Sequence, residues 1–515
     1  MELLCQLAKS TTANVLVFAG KIAEIESSAF ALADMSPYSC LGFGVPAVLF
    51  VTPIICSFSV SVKEWILTLA FFPTEIRLLL TLGPYSLLHP YLFRYKSSTR
   101  VRSEAQKKLR RLLKWVESNN DFYSEYWLKH TLTPGEILLK DLPIVTKDDL
   151  RKGTDSGKIL SHGYRNEKNG FWISTSGSTG VPLRIFSLWS EYAISIWYAQ
   201  RDLFMVSGIW GGWFCRGAWI MWHEGHSNNW WLVFKSMFLI ESKGSHVDSL
   251  SSFKPDFVYS PLSNALGLAS CLRENPSLLK TWTPPRALFT DSELSSKAQR
   301  NWISDSIKCP VYDMYASEEC FILGAECAFG KHHIPTDSVI VEIVDDEGNV
   351  VPSGNVGRVI VTNLHRRSMP LIRYEIGDMA VVGNDECACG NPFPYFTEIH
   401  GRMNDRFVLP SGKDISVYQL CAFTEISLEL EKHIGRWQVV QVDRYNIEIR
   451  VTTRKDKHNS ENERQVRARH AGEKLLKAVK NALSDNSLQL RVIVSSELPR
   501  HPRGKLRNFV SNVKL

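Results

Sequence analysis

The sequence predicts an α/β protein with a large domain built on parallel-rich sheets and a β segment, followed by a small α+β domain. Three observations predict this class. Strand-like runs alternate with helical segments from about residue 171 to 315, an order typical of mostly parallel sheets. From residue 338, "SVIVEIVDDEGNVVPSGNVGRVIVTNL" alternates apolar and polar residues between turns, which indicates antiparallel strands. After Gly401 the order strand, strand, helix, strand indicates a separate compact module.

Composition narrows the class of protein before any motif is considered. The 515 residues exceed what one hydrophobic core normally organises, so two or more domains are expected. The net charge of +7 is spread thinly over this length, which permits anionic ligands and argues against a nucleic-acid-binding protein. The 11 cysteines are scattered rather than arranged as a disulfide framework, so we expect a reducing, cytoplasmic location.

An N-terminal extension, residues 1–63, is partly apolar, and the sequence leaves its role open. Residues 41–58 carry no charge and approach the length of a membrane span. Pro46 and Pro53 weaken that interpretation, although membrane helices tolerate proline. A buried or surface-lying segment is therefore favoured, and contact of the extension with a membrane is the less favoured alternative.

The elements of the large domain follow in chain order. Residues 101–118 have the pattern of a basic amphipathic helix with a solvated face. In "LKDLPIVTKDDLR", residues 139–151, a short strand precedes a helix that Thr146 caps. Residues 188–208 are predicted to be helical, and strands follow in "PDFVYSP", "RALFTDSEL" and "CPVYDMYASEE".

A loop rich in glycine and hydroxyl side chains, "TSGSTGVP", separates two strand-like runs at residues 175–182. Gly177 and Gly180 can adopt backbone conformations closed to other residues, and hydroxyl and backbone N–H groups can surround phosphate oxygens. The G-x-x-x-x-G-K-[ST] spacing of a Walker A loop is missing. A Ser/Gly surface turn is the alternative interpretation, so the loop alone does not decide the function.

Four further segments follow the loop in an order that suits a nucleotide and an acyl phosphate. "YASEE" at 315–319 places an aromatic ring four residues before a carboxylate, and "RYEIGD" at 373–378 ends in an acidic residue. "GRMNDRFVLPSGKDIS" at 401–416 begins at the small module, and "PRHPRGKLRNF" at 499–509 places Lys505 in a turn after a glycine. Together, these segments resemble the adenylate-forming superfamily of acyl-CoA synthetases, adenylation domains and luciferases.

The closer resemblance is to the phenylacetate-CoA ligase branch and its relatives from capsular-polysaccharide gene clusters. "LPIVTKDDLR" and the Trp-rich middle of the chain also resemble that branch. The resemblance covers about residues 64–515. It implies a large AMP-binding domain of several subdomains at 64–403, a small mobile lid domain at 404–515, and a hinge at Asn404.

The resemblance also implies a set of nucleotide-binding residues. Tyr315 would stack on adenine, Asp378 would bind both ribose hydroxyls, and Arg402 would reach the ribose or a phosphate. The loop would hold the β- and γ-phosphates of ATP and move during the cycle. The implied set comprises Thr175, Ser176, Gly177, Ser178, Thr179, Gly180, Ser292, Glu293, Tyr315, Ala316, Asp378 and Arg402.

Two further residues carry the implied chemistry. Glu319 would bind Mg²⁺, and Lys505 would stabilise the charge that develops as a carboxylate attacks the α-phosphate. A cation aimed at a transferring phosphoryl group lowers the barrier because it offsets that charge. Taken singly, each residue is explained as well by a surface charge, and only the shared order along the chain favours the functional interpretation.

Three positions depart from the family pattern. Glu318 stands where a Thr usually precedes the Mg²⁺-binding Glu, Ala316 replaces a Gly, and Asn404 replaces an Asp. A Thr hydroxyl can donate a hydrogen bond to the AMP phosphate, whereas an ionised Glu cannot. The Glu318 departure keeps a nucleotide-binding protein that has lost catalysis among the alternatives.

A group of sulfur and nitrogen ligands predicts a metal site. Cys387 and Cys389 lie one residue apart in "CACG", and Cys327 and His333 lie six apart in "CAFGKHHIP". Three thiolates and an imidazole suit tetrahedral Zn²⁺, and the β segment between the pairs can return the chain to the same place. His333 is favoured over His332. Some phenylacetate-CoA ligase relatives carry a similar site, so a structural zinc is expected, with free buried thiols as the alternative.

Several aromatic residues are candidates for the wall of an apolar pocket for the acid. Core packing is the favoured role for most of them, because Trp is also simply a large core residue. The candidates are Trp210, Trp213, Trp219, Trp222, Trp230, Trp231 and Tyr259.

The predicted activity is that of an AMP-forming acid–thiol ligase. A carboxylic acid and Mg·ATP would give acyl-AMP and pyrophosphate, and coenzyme A would then accept the acyl group. The branch alone implies an aryl or arylacetic acid. An amide- or ester-forming ligase in polysaccharide or natural-product assembly is the alternative. The expected partners are small molecules and not nucleic acid, and monomer and dimer both stay open.

Overall fold

The structure is a computed structural model that describes most of the chain after residue 96. The described ranges are 97–129, 138–164, 170–175, 182–209, 216–221, 235–240, 246–383, 386–402, 406–416, 434–453, 460–499 and 508–513. All of them lie in the second of two compact units, Leu82–Leu515. The predictions for residues 1–63, including the apolar segment 41–58, lie outside the described residues.

The capping residues recognised in the sequence are found at a helix start in the structure. In the helix capped by Thr146, the threonine hydroxyl accepts a hydrogen bond from Asp149 N at 3.2 Å, and the Asp149 carboxylate accepts one from Thr146 N at 3.0 Å. This reciprocal cap confirms the predicted helix start and is worth about 1 kcal/mol. The described helices are α1 (Ser98–Asn119), α2 (Asp121–Lys129), α3 (Lys147–Asp155), α4 (Trp189–Ser207), α5 (His246–Phe253), α6 (Leu262–Glu274), α7 (Lys297–Ile307) and α8 (Glu461–Leu483), with 3₁₀ turns at Leu139–Asp141 and Leu278–Lys280.

The predicted strands in "PDFVYSP", "RALFTDSEL" and "CPVYDMYASEE" are confirmed as β5, β6 and β7. The described strands are β1 (Gly170–Ser174), β2 (Arg184–Leu188), β3 (Arg216–Met221), β4 (Lys235–Ile240), β5 (Phe257–Pro261), β6 (Ala287–Asp291), β7 (Val311–Ser317), β8 (Phe321–Glu326), β9 (His332–His333), β10 (Val339–Val344), β11 (Val356–Asn363), β12 (Tyr374–Val382), β13 (Tyr395–Arg402), β14 (Arg406–Val408), β15 (Asp414–Ser416), β16 (Ile434–Gln441), β17 (Asn446–Thr453), β18 (Gln489–Ser495) and β19 (Phe509–Ser511).

One large sheet carries most of the strands that surround the site. Within the described part of the chain it has eleven strands in the order β10-β11-β12-β13-β9-β8-β7-β6-β5-β3-β4. The β3 to β7 neighbours pair in parallel, and the pairs from β7 through β10 are antiparallel. This arrangement confirms the α/β class, with its parallel-rich part and its antiparallel β segment. Among the described helices, none combines the length and the apolar character needed to cross a membrane.

Two apolar clusters pack helices against the large sheet. Helices α5, α6 and α7 pack on the parallel strands through a buried cluster that includes Leu250, Leu268 and Ile303. A second cluster joins α1 and α2 to β2 and the antiparallel strands, with Leu112 and Phe186 fully buried. Each such side chain contributes about 2 kcal/mol of burial free energy before entropy is subtracted.

The small module has its own sheet and its own core. Its four strands run in the order β18-β17-β16-β19, and α8 packs on them through Ala471, Leu475 and Val479. The predicted order strand, strand, helix, strand is confirmed, and β19 adds a strand parallel to β16. Residues 403–405 lie outside the described residues, so the domain boundary at 404 and the hinge at Asn404 stay predictions.

The short strand predicted in "LPIVT" is wrong. Its place is taken by a single parallel bridge between Val145 and Tyr374, in which Val145 N donates to Arg373 O and Glu375 N donates to Val145 O, both at 2.9 Å. One residue of pairing is enough here because α3 begins immediately afterwards at Lys147. The bridge fixes the start of α3 against the first residue of β12.

Candidate active site

Three of the predicted nucleotide-binding residues contact one another. They lie on strands β7, β12 and β13 of the large sheet. Asp378 and Arg402 are direct partners in the register of β12 with β13. Tyr315 on β7 donates its phenolic hydrogen to Asp378 Oδ2 at 2.6 Å, and Arg402 Nε lies 3.1 Å from Asp378 Oδ1. Arg402 Nη1 also donates to Ile376 O at 2.7 Å. Both oxygens of one carboxylate are therefore held by residues from separate strands.

Burial and neighbouring charges shift the pKa values of Tyr315 and Arg402. Asp378 is only 6% exposed. Burial, and next the Asp378 charge, raise the pKa of Tyr315 well above its usual value, so the phenol stays a hydrogen-bond donor. Asp378 is the main cause that raises the pKa of Arg402. Gly377 precedes the carboxylate with φ of +88°, a backbone conformation that side chains rarely adopt, so a glycine is required there.

A second carboxylate, Glu319, lies in the turn between β7 and β8. It is 3% exposed, and its Oε1 accepts a hydrogen bond from Tyr374 Oη at 3.2 Å. Lys147 Nζ lies 3.7 Å from the same oxygen. Among the described residues, no hydrogen bond reaches Glu319 Oε2. That oxygen is therefore available to a cation, which is the property a Mg²⁺ ligand needs.

Lys147 lies close enough to Glu319 and Asp378 for both carboxylates to act on its charge. Burial lowers its pKa, Glu319 and Asp378 oppose that shift, and Arg402 reinforces it. The lysine reaches this position because it opens α3 directly after the bridge from Val145 to β12. Lys147 is not among the predicted site residues, because "TKDDLR" indicates only a helix cap. Its contact with Glu319 depends on tertiary packing that the local sequence does not predict.

The predicted phosphate-binding loop, residues 175–180 and called the phosphate loop below, begins at the end of the β1–β2 pairing. Thr175 is buried and closes the β1–β2 hairpin: Thr175 N donates to Leu183 O at 2.8 Å, and Leu183 N donates to Thr175 Oγ1 at 3.0 Å. The remaining loop residues, Ser176, Gly177, Ser178, Thr179 and Gly180, lie outside the described residues. The same holds for Lys505 and Asn404, so their roles stay predictions.

Ser292 and Glu293 follow the carboxyl end of β6, where parallel strands commonly present ligand-binding residues. Ser292 has a φ of +67°, which is unusual for a residue with a side chain. The Glu293 carboxylate accepts hydrogen bonds from Ser263 N at 2.9 Å and from Ser263 Oγ at 3.2 Å in the first turn of α6. Ala316 lies next to Tyr315 at a β-bulge in the β7–β8 pairing. A contact of these three residues with a nucleotide stays a prediction.

Two of the candidate pocket aromatics fall within the described residues, and both pack with core aromatics. The Trp219 ring meets Phe257 edge-on with centroids 5.4 Å apart, and Tyr259 stacks on Phe289 at 6.5 Å. These contacts support core packing for Trp219. The other tryptophans of the candidate wall lie outside the described residues.

A candidate metal centre lies beside β9. The Sγ atoms of Cys327, Cys387 and Cys389 and a ring nitrogen of His333 all lie within 4.8 Å of one another. Cys327 follows β8, His333 lies on β9, and the other two thiols lie in the β12–β13 connection. The residues meet because His333 pairs with both β8 and β13. His332 points elsewhere and contacts Asp313 at 3.0 Å.

The chemistry of this cluster fits a tetrahedral cation. Phe393 O accepts a hydrogen bond at 2.9 Å from His333 Nδ1, which leaves the Nε2 lone pair facing Cys389 Sγ at 3.1 Å. The hydrogen bond from Nδ1 to Phe393 O orients the imidazole, as such bonds usually do in metal-ligating histidines. A hydrogen bond from Cys389 lowers the pKa of Cys327 to about 3, so a thiolate is favoured there. The described cysteines form no disulfide.

The fold of the described residues is similar to that of solved acyl-CoA ligases. Among solved structures, the fold matches 2-hydroxyisobutyryl-CoA ligase in complex with an acyl-AMP in the postadenylation state, with a TM-score of 0.62, 20% identity, and 81% of this chain and 90% of that chain covered. A structure of the same ligase with CoA in the thioesterification state matches with a TM-score of 0.51 and 21% identity, over 81% and 90%. No family model matches the chain.

Two curated proteins are similar in sequence over most of their length. The chain is 25% identical over 427 residues to Protein CapK of Staphylococcus aureus, covering 78% of this chain and 87% of that protein. It is 23% identical over 449 residues to phenylacetate-coenzyme A ligase of Thermus thermophilus, covering 80% and 96%. These similarities confirm the resemblance to the adenylate-forming superfamily and its phenylacetate-CoA ligase branch.

Proposed function

We propose that this protein is an ATP-dependent carboxylate-activating ligase. It would join a carboxylic acid to the α-phosphate of ATP, release pyrophosphate, and then transfer the acyl group from acyl-AMP to the thiol of coenzyme A. The observation that carries the proposal is the meeting of Tyr315, Asp378 and Arg402 with Glu319 and Lys147 in one place. The similarity to phenylacetate-coenzyme A ligase supports the same activity.

In this proposal each of the five residues has a separate role in binding ATP. Asp378 would accept the ribose hydroxyls, with Tyr315 placed beside the base and Arg402 holding the carboxylate in position. The open oxygen of Glu319 would hold Mg²⁺, which neutralises phosphate charge when it is bound. Lys147 adds a cation on the same side. Such fixed charges stabilise the transition state because they need not reorganise as the phosphoryl group is transferred.

Lys505 is assigned the second cationic role on its sequence context alone. In this proposal the small domain, residues 404–515, rotates about Asn404 between adenylation and acyl transfer. The loop from Thr175 to Gly180 holds the β- and γ-phosphates and then releases pyrophosphate. Scattered thiols and the enzymatic role both suit a reducing cytoplasm.

One experiment distinguishes the proposed activity from its alternatives. Exchange of labelled pyrophosphate into ATP is measured across a panel of aryl, arylacetic and small aliphatic acids, and products are then identified by mass spectrometry with and without CoA. Acid-dependent exchange with a thioester product is the expected result. Exchange without a thioester, but with an amide or ester when an amine or alcohol is supplied, favours the other ligase class. No exchange with any acid favours a non-catalytic nucleotide-binding protein.

The Lys505→Ala variant tests the mechanism separately from the substrate. We expect this variant to lose exchange by about a hundredfold or more, because it removes a charge that acts on the transferring phosphoryl group. Exchange that persists at the wild-type rate would remove Lys505 from the proposed mechanism.

We further propose that Cys327, His333, Cys387 and Cys389 hold one structural Zn²⁺. The ligand set and the oriented imidazole support this proposal, and four protein ligands leave no open position for catalysis. Metal analysis of the purified protein is expected to give about one equivalent of zinc, and Cys387→Ser is expected to lose it. Less than one equivalent in the wild type, together with no effect of Cys387→Ser on metal content, would contradict the proposal.

A further inference from the structure

Arg366 is a buried cation to which no counter-ion among the described residues is hydrogen-bonded. Its side chain is 0% exposed, and none of its three guanidinium nitrogens has a hydrogen-bond partner among the described residues. Arg201, which is also fully buried, shows the usual arrangement, because it is paired with both Asp202 and Asp337. A buried, unpaired guanidinium is strongly unfavourable, so such a group is retained only where it serves a purpose.

The position of Arg366 relates it to the phosphate loop. It lies in the 364–373 connection from β11 to β12. Glu191 on α4 accepts hydrogen bonds from the backbone N of Arg367 and Ser368, at 2.7 and 2.9 Å, which holds this connection in place. Phe186 N on β2 contacts Met369 Sδ at 3.2 Å, and β2 is the strand that leaves the phosphate loop.

The carboxylates that act on Arg366 do not neutralise it through a hydrogen bond. Glu191 and Glu319 favour its charged form, but burial is the larger effect, so the pKa of Arg366 is lowered. Glu191 already accepts four hydrogen bonds, from Leu188, Arg367 and Ser368. The charge of Glu319, the candidate Mg²⁺ ligand, also acts on Arg366, which relates the guanidinium to the proposed phosphate site.

We propose that Arg366 is a phosphate-binding residue that contacts the pyrophosphate portion of ATP. This inference rests on the proposed function. In this proposal the guanidinium turns from its enclosed position toward the phosphate oxygens, which its N–H fork matches in geometry and charge. Arg366 would thus stabilise the leaving pyrophosphate as a cation in addition to Lys147.

The test measures binding of Mg·pyrophosphate to the full chain by isothermal titration calorimetry, together with melting temperature. Three variants are compared: Arg366→Met, which removes the charge and keeps the length; Arg366→Lys, which keeps the charge; and Arg201→Lys, a matched change at a buried, paired arginine. We expect Arg366→Met to bind pyrophosphate about ten- to a hundredfold more weakly. Its melting temperature should equal or exceed that of the wild type, because an unpaired buried charge is removed.

The controls separate this inference from a structural role and from the proposed function. Arg201→Lys is expected to melt lower and to bind pyrophosphate as the wild type does, and Arg366→Lys to retain part of the affinity. Wild-type affinity in Arg366→Met, or a loss of affinity for the acid alone, would overturn the inference while leaving the proposed function standing. Failure of the wild type to bind either Mg·pyrophosphate or Mg·ATP would overturn both. If Arg366→Met does not fold, unchanged affinity in Arg366→Gln would overturn the inference.

Discussion

Tyr315 and Asp378 are joined by a hydrogen bond of 2.6 Å between β7 and β12, with the phenol as donor. The same tyrosine ring meets Phe396 edge-on, with centroids 5.5 Å apart and an angle of 79° between the rings. The ring that is predicted to stack on adenine is therefore fixed at its hydroxyl and along one edge. This preorganisation reduces the entropy lost when a base binds against it.

Tyr315→Phe removes the hydroxyl and keeps the ring. We expect the KM for ATP to rise roughly tenfold with a smaller change in kcat, because the hydrogen bond to a charged partner is lost while the stacking surface remains. Steady-state pyrophosphate exchange at varied ATP measures both constants. Tyr315→Ala serves as the comparison and should raise the KM further; equal KM values for wild type and both variants would place the adenine elsewhere.

We expect the activity to fall at alkaline pH because Lys147 loses its proton there. Burial lowers its pKa, so the lysine loses its charge at a lower pH than a free lysine does. Activity should therefore fall as pH rises through that range. Lys147→Arg keeps its charge to higher pH and is expected to move the fall to higher pH, whereas Lys147→Met should be slow at every pH. Superimposable pH–rate profiles for wild type and Lys147→Arg would show that this charge is not needed.

His365 makes stability depend on pH. Its Nε2 lies 2.8 Å from Ser195 Oγ, and burial lowers the pKa of this histidine to about 3 from 6.5. Between these values the unfolded chain binds a proton that the folded chain does not, so stability falls as pH falls below 6.5. The expected loss between pH 6.5 and 5 is about 2 kcal/mol. Urea unfolding should show this loss in the wild type and not in His365→Gln; equal losses would refute the assignment.

Removal of zinc should destabilise the large domain near β9. A bound metal that the unfolded chain does not hold stabilises the folded state by mass action. We expect a strong chelator to lower the melting temperature of the wild type by several degrees and to leave Cys387→Ser, already metal-free, unchanged. Cys271→Ser, which changes a cysteine outside the cluster, should respond to the chelator as the wild type does. A wild-type melting temperature that does not change when the chelator is added would contradict a structural metal.

The residues predicted correctly as neighbours are those whose spacing follows strand pairing. Asp378 and Arg402 end "RYEIGD" and open "GRMNDRF", and the antiparallel β12–β13 register places them opposite each other. Cys327 and Cys389 meet for a similar reason, because the strands between them return the chain to β9. The alternating pattern from residue 338 predicts antiparallel strands in this region, whereas the roles of Asp378 and Arg402 were implied by the family resemblance.

The residues that were missed depend on contacts between distant segments. Lys147 reaches Glu319 through a bridge of one residue, Val145 with Tyr374, which no hydrophobic pattern announces. Arg366 lies in an irregular connection held by Glu191, and its lack of partners is a property of the packed chain. Such positions are set by tertiary packing, which overrides local pattern.

The central claim is that this site adenylates a carboxylic acid, and the most direct measurement is acid-dependent exchange of labelled pyrophosphate into ATP by the wild type and by Asp378→Ala. We expect exchange that requires both Mg²⁺ and one of the acids tested. We also expect a fall of about a hundredfold or more in Asp378→Ala, because the loss of two or three charge-assisted hydrogen bonds is of that size. Acid-dependent exchange that is undiminished in Asp378→Ala, or its absence from the wild type with every acid, would contradict the account.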